Sequence, residues 1–260
     1  MNLAVDLGNT AAKAFIYDEK RLVDELVFPK LTPIQLKSIL KKYSIAASIV
    51  SSVIRDDSVV KQILKEHTSF YLLSSKLALP LKNKYKTPQT LGNDRIASAV
   101  GASFLCPHQQ VLVIDAGTCI KYDFVNSKGE YLGGSISPGL QMRYQALNTF
   151  TDKLPLIKPT FKLSNNFIGG STEESITTGV EQGIINEIEG FINLYEKKYN
   201  NLKVILTGGD VKRFARAVKF PIFAAKSVTA FNAAANQRFA VPNLTGIGLN
   251  EILEYNLSKK

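Results

Sequence analysis

Asp94 and Arg95 stand side by side in "GNDR" (92–95), at the front of an alanine-rich stretch that runs to Leu105. An acidic residue in the first turn of a helix is a simple capping carboxylate, worth about 1 kcal/mol. An arginine there opposes the helix macrodipole. The pairing makes chemical sense when Arg95 and the helix N-terminus together receive an anion such as a substrate carboxylate. Asp94 is then placed to take a proton from a substrate hydroxyl as that oxygen attacks a phosphate.

A second kind of chemistry is written twice. "MNLAVDLGNT" (1–10) and "VLVIDAGTCI" (111–120) each end a short apolar run in Asp, followed by a small-residue turn holding Gly and Thr. Such a turn presents backbone N–H groups and hydroxyls outward, the makings of a phosphate cradle. A carboxylate beside phosphate is reasonable when a divalent cation or its water shell lies between them. Either Asp6 or Asp115 alone reads as an Asx-type turn; the repetition favours phosphate binding from two sides. A third strand with a glycine turn, "ILTGGD" (205–210), offers a flat surface for an adenosine.

The elements that must carry these turns alternate between strand and helix. Strands are expected at 3–7, 13–18 and 21–28, then at 46–53 and 69–74. Helices are expected at 32–43, capped by Thr32 with Pro33 at the first position, at 56–67, and at 93–105. The strand pattern restarts at 110–115, 119–125 and 130–136. A long helix (172–198), a buried strand before the glycine turn at 208 and a closing helix (243–257) complete the chain. The restart predicts two related lobes, near 1–110 and 111–260, each an antiparallel meander backed by helices.

Composition sets the limits. With 260 residues, 45% hydrophobic and 21% charged, the chain resembles an ordinary globular protein. Asp6 interrupts the first apolar run, so no signal peptide is expected, and no stretch suffices for a bilayer span. Two cysteines, Cys106 and Cys119, give neither a disulfide framework nor a metal cluster, which suits a cytoplasmic location. The net charge of +10 points to anionic partners. Its scatter as lone residues and Lys-Lys pairs favours a solvated basic surface over nucleic-acid binding.

The three glycine turns, in this order, resemble the phosphate-1, phosphate-2 and adenosine motifs of the ASKHA superfamily. That likeness implies an α/β fold of two ribonuclease H-like lobes, each a mixed sheet with helices, with a cleft between them. The run "DLGNT" (6–10), "GNDRIASAVGA" (92–102), "DAGT" (115–118) with Asp123, "GGSISPGL" (133–140), "STEESITTG" (171–179) and "PNLTGIGL" (242–249) resembles type III pantothenate kinases over nearly the whole chain. The resemblance implies ATP-dependent phosphorylation of pantothenate to 4'-phosphopantothenate, the first step of coenzyme A synthesis.

It also implies roles for particular residues. Asp6, Leu7, Gly8, Asn9, Thr10, Ala11, Ala12 and Lys13, with Thr118, would bind ATP and its Mg2+. Tyr85, Gly92, Asn93, Asp94, Arg95 and Thr172 would bind pantothenate, with Asp94 as proton acceptor. Asp115 would bind a monovalent cation, K+ or NH4+. A homodimer with the substrate site at the subunit interface is implied, with no nucleic acid or membrane partner. Cys119 and Lys121 depart from the family, which more often has Ala and Thr there. The alternatives are a transcriptional accessory factor that retains the fold, or a kinase for another small hydroxy acid.

Overall fold

The computed structural model describes residues 1–54, 57–159, 167–218 and 238–259. In chain order its first elements are β1 (Asn2–Leu7), β2 (Ala12–Asp18), β3 (Arg21–Phe28), α1 (Pro33–Lys42), β4 (Ala47–Ser52), α2 (Ser58–His67), β5 (Ser69–Leu72), β6 (Lys82–Asn83) and α3 (Asn93–Leu105). They are followed by β7 (Val111–Ala116), β8 (Cys119–Val125), β9 (Glu130–Pro138), α4 (Leu140–Thr149) and α5 (Thr172–Lys198). Last come β10 (Lys203–Thr207), α6 (Val211–Ala217), β11 (Arg238–Ala240) and α7 (Leu244–Leu257). The expected helix at 56–67 is present from Ser58; residue 56 lies outside the described residues.

The chain forms two compact units. One holds Met1–Pro107 with Gly129–Leu132 and Asn243–Lys260, the other His108–Lys128 with Gly133–Pro242. The closing helix does not follow the expected division, because its contacts are with α3, β1, β2 and β4 of the first unit.

In the first unit the sheet runs β3-β2-β1-β4-β5, antiparallel among β1, β2 and β3 and parallel from β1 through β4 to β5. Strands β1 and β4 are buried almost throughout because helices cover both faces. Leu3, Val5 and Leu7 join Leu36, Ile39, Ile63 and Leu64 of α1 and α2 in one cluster. On the opposite face Asn2 Nδ2 donates to Asn250 Oδ1 of α7 at 3.1 Å. Thr32 makes the anticipated cap: its hydroxyl accepts from the Gln35 N–H while the Gln35 side chain reaches back to the Thr32 N–H.

Close crossing of α3 and α7 depends on glycine. A Cβ on Gly248 would lie 1.7 Å from the Ala97 carbonyl oxygen, and one on Gly101 would lie 2.6 Å from that of Leu244. Small residues in "GIG" therefore allow the two backbones to meet, fixing where α3 begins.

The second unit repeats the opening hairpin. Strands β7 and β8 are antiparallel, and β10 and β11 extend the sheet in parallel beside β7. Leu112, Ile114 and Ala116 face the apolar side of α5, with Ile184, Ile188 and Ile192, and the α6 residues Val211 and Phe214. Asp115, Lys121 and Asp123 fall on the other face by strand alternation.

Candidate functional site

The first acidic corner is a tight hairpin. Asp6 ends β1 in register with Lys13 of β2, and the Gly8 N–H donates to the Ala11 carbonyl at 3.1 Å. A Cβ on Gly8 would lie 3.0 Å from that same carbonyl, so a larger residue would crowd the closure. Asn9 and Thr10 project into solvent at the tip, with Asp6 and Gly8 half-buried beneath them. The expected ATP-binding residues Leu7 and Ala12 turn their side chains into the core, while Asp6, Asn9, Thr10, Lys13 and the turn backbone make one polar corner. Its half-buried carboxylate, turn amides and Thr10 hydroxyl fit a Mg2+–triphosphate, since Mg2+ takes one or two carboxylates and leaves its other positions to phosphate and water.

Strand topology brings α3 to the same edge. Strands β1, β4 and β5 are parallel, and their C-terminal ends lie in a row. The Val53 N–H donates to the Leu7 carbonyl at 3.1 Å, and the Leu73 N–H to that of Val50 at 2.9 Å. Asn93, the first residue of α3, ties on through its side-chain Nδ2, which donates to the Leu73 carbonyl at 3.1 Å. Strand β5 lies about two strand spacings, roughly 10 Å, from β1, and the "GNDR" turn is tied to its end. Ligands of open α/β sheets bind at this carboxyl edge.

At that helix mouth Gly92 is the N-cap residue, and a Cβ there would meet Asp94 Oδ1 at 2.6 Å. Asp94 is half-buried, and its Oδ1 accepts the Arg95 N–H at 2.9 Å. Arg95 is only 5% exposed, and its guanidinium carbon lies 5.5 Å from the centre of the Tyr85 ring. Tyr85 leans in turn on Tyr131, ring centres 6.1 Å apart. Five of the expected substrate residues, Tyr85, Gly92, Asn93, Asp94 and Arg95, therefore lie in one unit, with the aromatic ring over the cation.

Two nucleotide turns meet in the second unit. Thr207 of β10 is in register with Asp115 of β7, and the Asp210 N–H donates to the Ala116 carbonyl at 3.0 Å. Gly208 has φ +98°, and a Cβ on it would lie 2.5 Å from Asp115 Oδ1. The "TGGD" turn thus lies against the "DAGT" corner, where Thr118 is exposed and the Gly117 N–H donates to the Cys119 carbonyl at 3.0 Å. Lys121 Nζ sits 2.6 Å from Asp115 Oδ2. With an ammonium on one oxygen and the Gly208 backbone against the other, this carboxylate does not fit a free monovalent cation.

Thr172 opens α5, exposed and one residue after the N-cap Ser171, whose hydroxyl accepts the Glu174 N–H at 3.2 Å. Sequence reasoning missed the clasp farther along that helix. Glu187 Oε1 accepts from Tyr122 Oη at 2.8 Å and from Ser137 Oγ at 2.5 Å, while Arg143 Nη2 donates to Oε2 at 2.5 Å. Burial pushes the Glu187 carboxyl up, but the hydrogen bonds from Ser137, Arg143 and Tyr122 prevail and hold it below its ordinary value. Burial and the bond to Glu187 together raise the Tyr122 hydroxyl. The clasp secures "GGSISPG", where a Cβ on Gly139 would lie 2.2 Å from the Gly117 carbonyl, behind the Asp115 corner. Its only sequence signal is the Ser137 and Arg143 spacing around Pro138.

Comparison with known proteins identifies the family. The family model for type III pantothenate kinase matches residues 2–194. A type III pantothenate kinase of Christiangramia forsetii is 42% identical over 258 residues, covering 98% of this chain and 99% of its own length. Among solved structures, a conserved Campylobacter jejuni protein assigned to the Baf family of transcriptional activators aligns at TM-score 0.61 and 19% identity, over 98% of this chain and 99% of that one. A ROK hexokinase from Thermus thermophilus aligns at TM-score 0.50 and 14% identity, over 99% of each chain. These two likenesses speak for the fold alone, which is that of the ASKHA kinases.

Proposed function

This chain belongs to the type III pantothenate kinase family, and we propose that it carries out its phosphate transfer at the carboxyl edge that holds Asp6 and Asp94. It is a kinase that phosphorylates pantothenate from ATP, giving 4'-phosphopantothenate for coenzyme A synthesis. The observation that carries the site assignment is the α3 mouth, where a half-buried carboxylate, a buried guanidinium and an aromatic ring converge.

Each residue then has a task. Arg95 pairs with the pantothenate carboxylate in a fork that Tyr85 keeps planar and oriented. Asp94 accepts the proton of the attacking hydroxyl; that oxygen bonds to the γ-phosphorus as the bond to the ADP oxygen breaks. The 6–13 corner holds the phosphates, and Asp6 would hold a Mg2+ that would neutralise charge on them. Thr118 and the "TGGD" turn support the nucleotide, and Thr172 completes the pantothenate contacts. No step is assigned to a free monovalent cation at Asp115.

The active form we propose is a homodimer in the cytoplasm. Exposed Ile136, Phe150 and Leu156 support the dimer. Among the described residues no helix is long and apolar enough to cross a membrane, and neither Cys106 nor Cys119 is disulfide-bonded. The test is a coupled assay of ATP consumption across pantothenate, acetate and simple sugars. Turnover confined to pantothenate is expected. Its absence, together with salt-sensitive DNA binding, would favour an accessory factor instead.

A further inference from the structure

Asp115 and Lys121 face each other across the β7–β8 hairpin, in direct register. The 2.6 Å separation between Lys121 Nζ and Asp115 Oδ2 is that of a tight charge-assisted hydrogen bond. Their side chains are 16% and 14% exposed, so bulk salt screens the pair weakly. The other carboxylate oxygen lies against the β10 turn, 2.5 Å from where a Cβ on Gly208 would stand. Asp123, buried and in register with Val113, lies two residues beyond Lys121 on the same strand face. The ammonium therefore stands in a row with two carboxylates.

We propose that the Lys121 ammonium is a built-in monovalent cation, which balances Asp115 as a potassium or ammonium ion would, so that phosphate transfer by this chain needs no added monovalent cation. The inference rests on the pantothenate kinase reading. A lysine ammonium is an alkylated ammonium ion with the same charge and N–H donors directed at oxygen. Its stem is anchored in β8, so its local concentration does not depend on that of the medium. A second cation on the same carboxylate would meet a like charge a few ångströms away in a poorly hydrated corner.

The test uses the full-length protein in choline chloride, with potassium chloride or ammonium chloride substituted for it. Wild-type turnover with pantothenate should agree within about twofold in all three salts, since the bound charge is already present. Lys121→Thr and Lys121→Ala should lose about tenfold or more in choline and recover in potassium, as a site that now needs an ion must. Potassium should also raise the melting temperature of the two variants and leave that of the wild type unmoved, which reads ion binding without turnover.

Strong potassium activation of the wild type would overturn the inference. So would folded variants that are indifferent to potassium, or that stay inactive in every salt. Should either variant fail to fold, the wild-type comparison still decides. Failure of the pantothenate reading would look different: no phosphate transfer in any salt, with the melting-temperature comparison still deciding the role of Lys121.

Discussion

At the scale of single residues, the α3 mouth concentrates its charge in Asp94 and Arg95. They sit in four consecutive residues at a helix start, and a cation placed against the macrodipole needs a reason. Asp94→Asn should keep the fold, since the side chain is half-buried, and lower turnover roughly 10²–10⁴-fold with little change in KM. Steady-state kinetics with pantothenate checks this; wild-type turnover would remove Asp94 from the role of base. Arg95→Lys keeps charge but loses the fork and its stacking on Tyr85. The expected result is a rise of about tenfold or more in the KM for pantothenate, the order of losing a charged hydrogen bond of about 1.5–3 kcal/mol. Lys121 was legible only as a departure in charge. The hairpin register that sets it against Asp115 becomes visible once β7 and β8 are paired.

Between residue and molecule, the elements followed their patterns closely, since apolar runs, caps and glycine turns are local signals. Thr32, the repeated hairpins and the long α5 all formed where propensity placed them. What local pattern cannot carry is which elements touch. The packing of α7 on α3 depends on residues some 150 positions apart, such as Ser98 and Thr245, whose hydroxyls lie 3.0 Å apart. Gly248→Ala should therefore destabilise by about 1–3 kcal/mol, because its Cβ meets backbone that cannot yield cheaply. Gly183→Ala, in the middle of α5 with nothing among the described residues within 4 Å of the added methyl, should stabilise by about 0.5–1 kcal/mol. Urea unfolding of both variants measures the contrast. The Glu187 clasp, spanning 44 to 65 residues, was equally hidden. Its depressed carboxyl gives a sign: the stabilisation is present above the ordinary value of 4.5 and is lost as pH falls through the lower folded value. Unfolding midpoints between pH 7 and pH 3 should fall less steeply for Glu187→Gln than for wild type.

For the whole molecule, surface chemistry is the guide. The net charge of +10 is scattered and keeps the protein dispersed without defining a partner. Exposed apolar side chains occur in both units, and three of them stand close in sequence to α4. Phe150 is 85% exposed, Ile136 59% and Leu156 55%, all within the α4 neighbourhood of the second unit. A ring of that size left in water forgoes about 1.5–3 kcal/mol of burial, so a second copy covering it would gain from each such residue. Ile136 belongs to "GGSISPG" itself, two residues from Gly134, whose missing Cβ lets β9 lie against the Tyr122 carbonyl. A partner docked there would bear on the strand that backs the Asp115 corner, joining assembly to activity. Sedimentation velocity should find wild type at twice the chain mass. Phe150→Glu and Ile136→Glu should shift it to single chains and lower pantothenate turnover in parallel. Dilution of the wild type should reproduce that loss, and restored protein concentration should reverse it. A wild type that sediments as single chains at every concentration, with full turnover, would show that one chain carries the complete site.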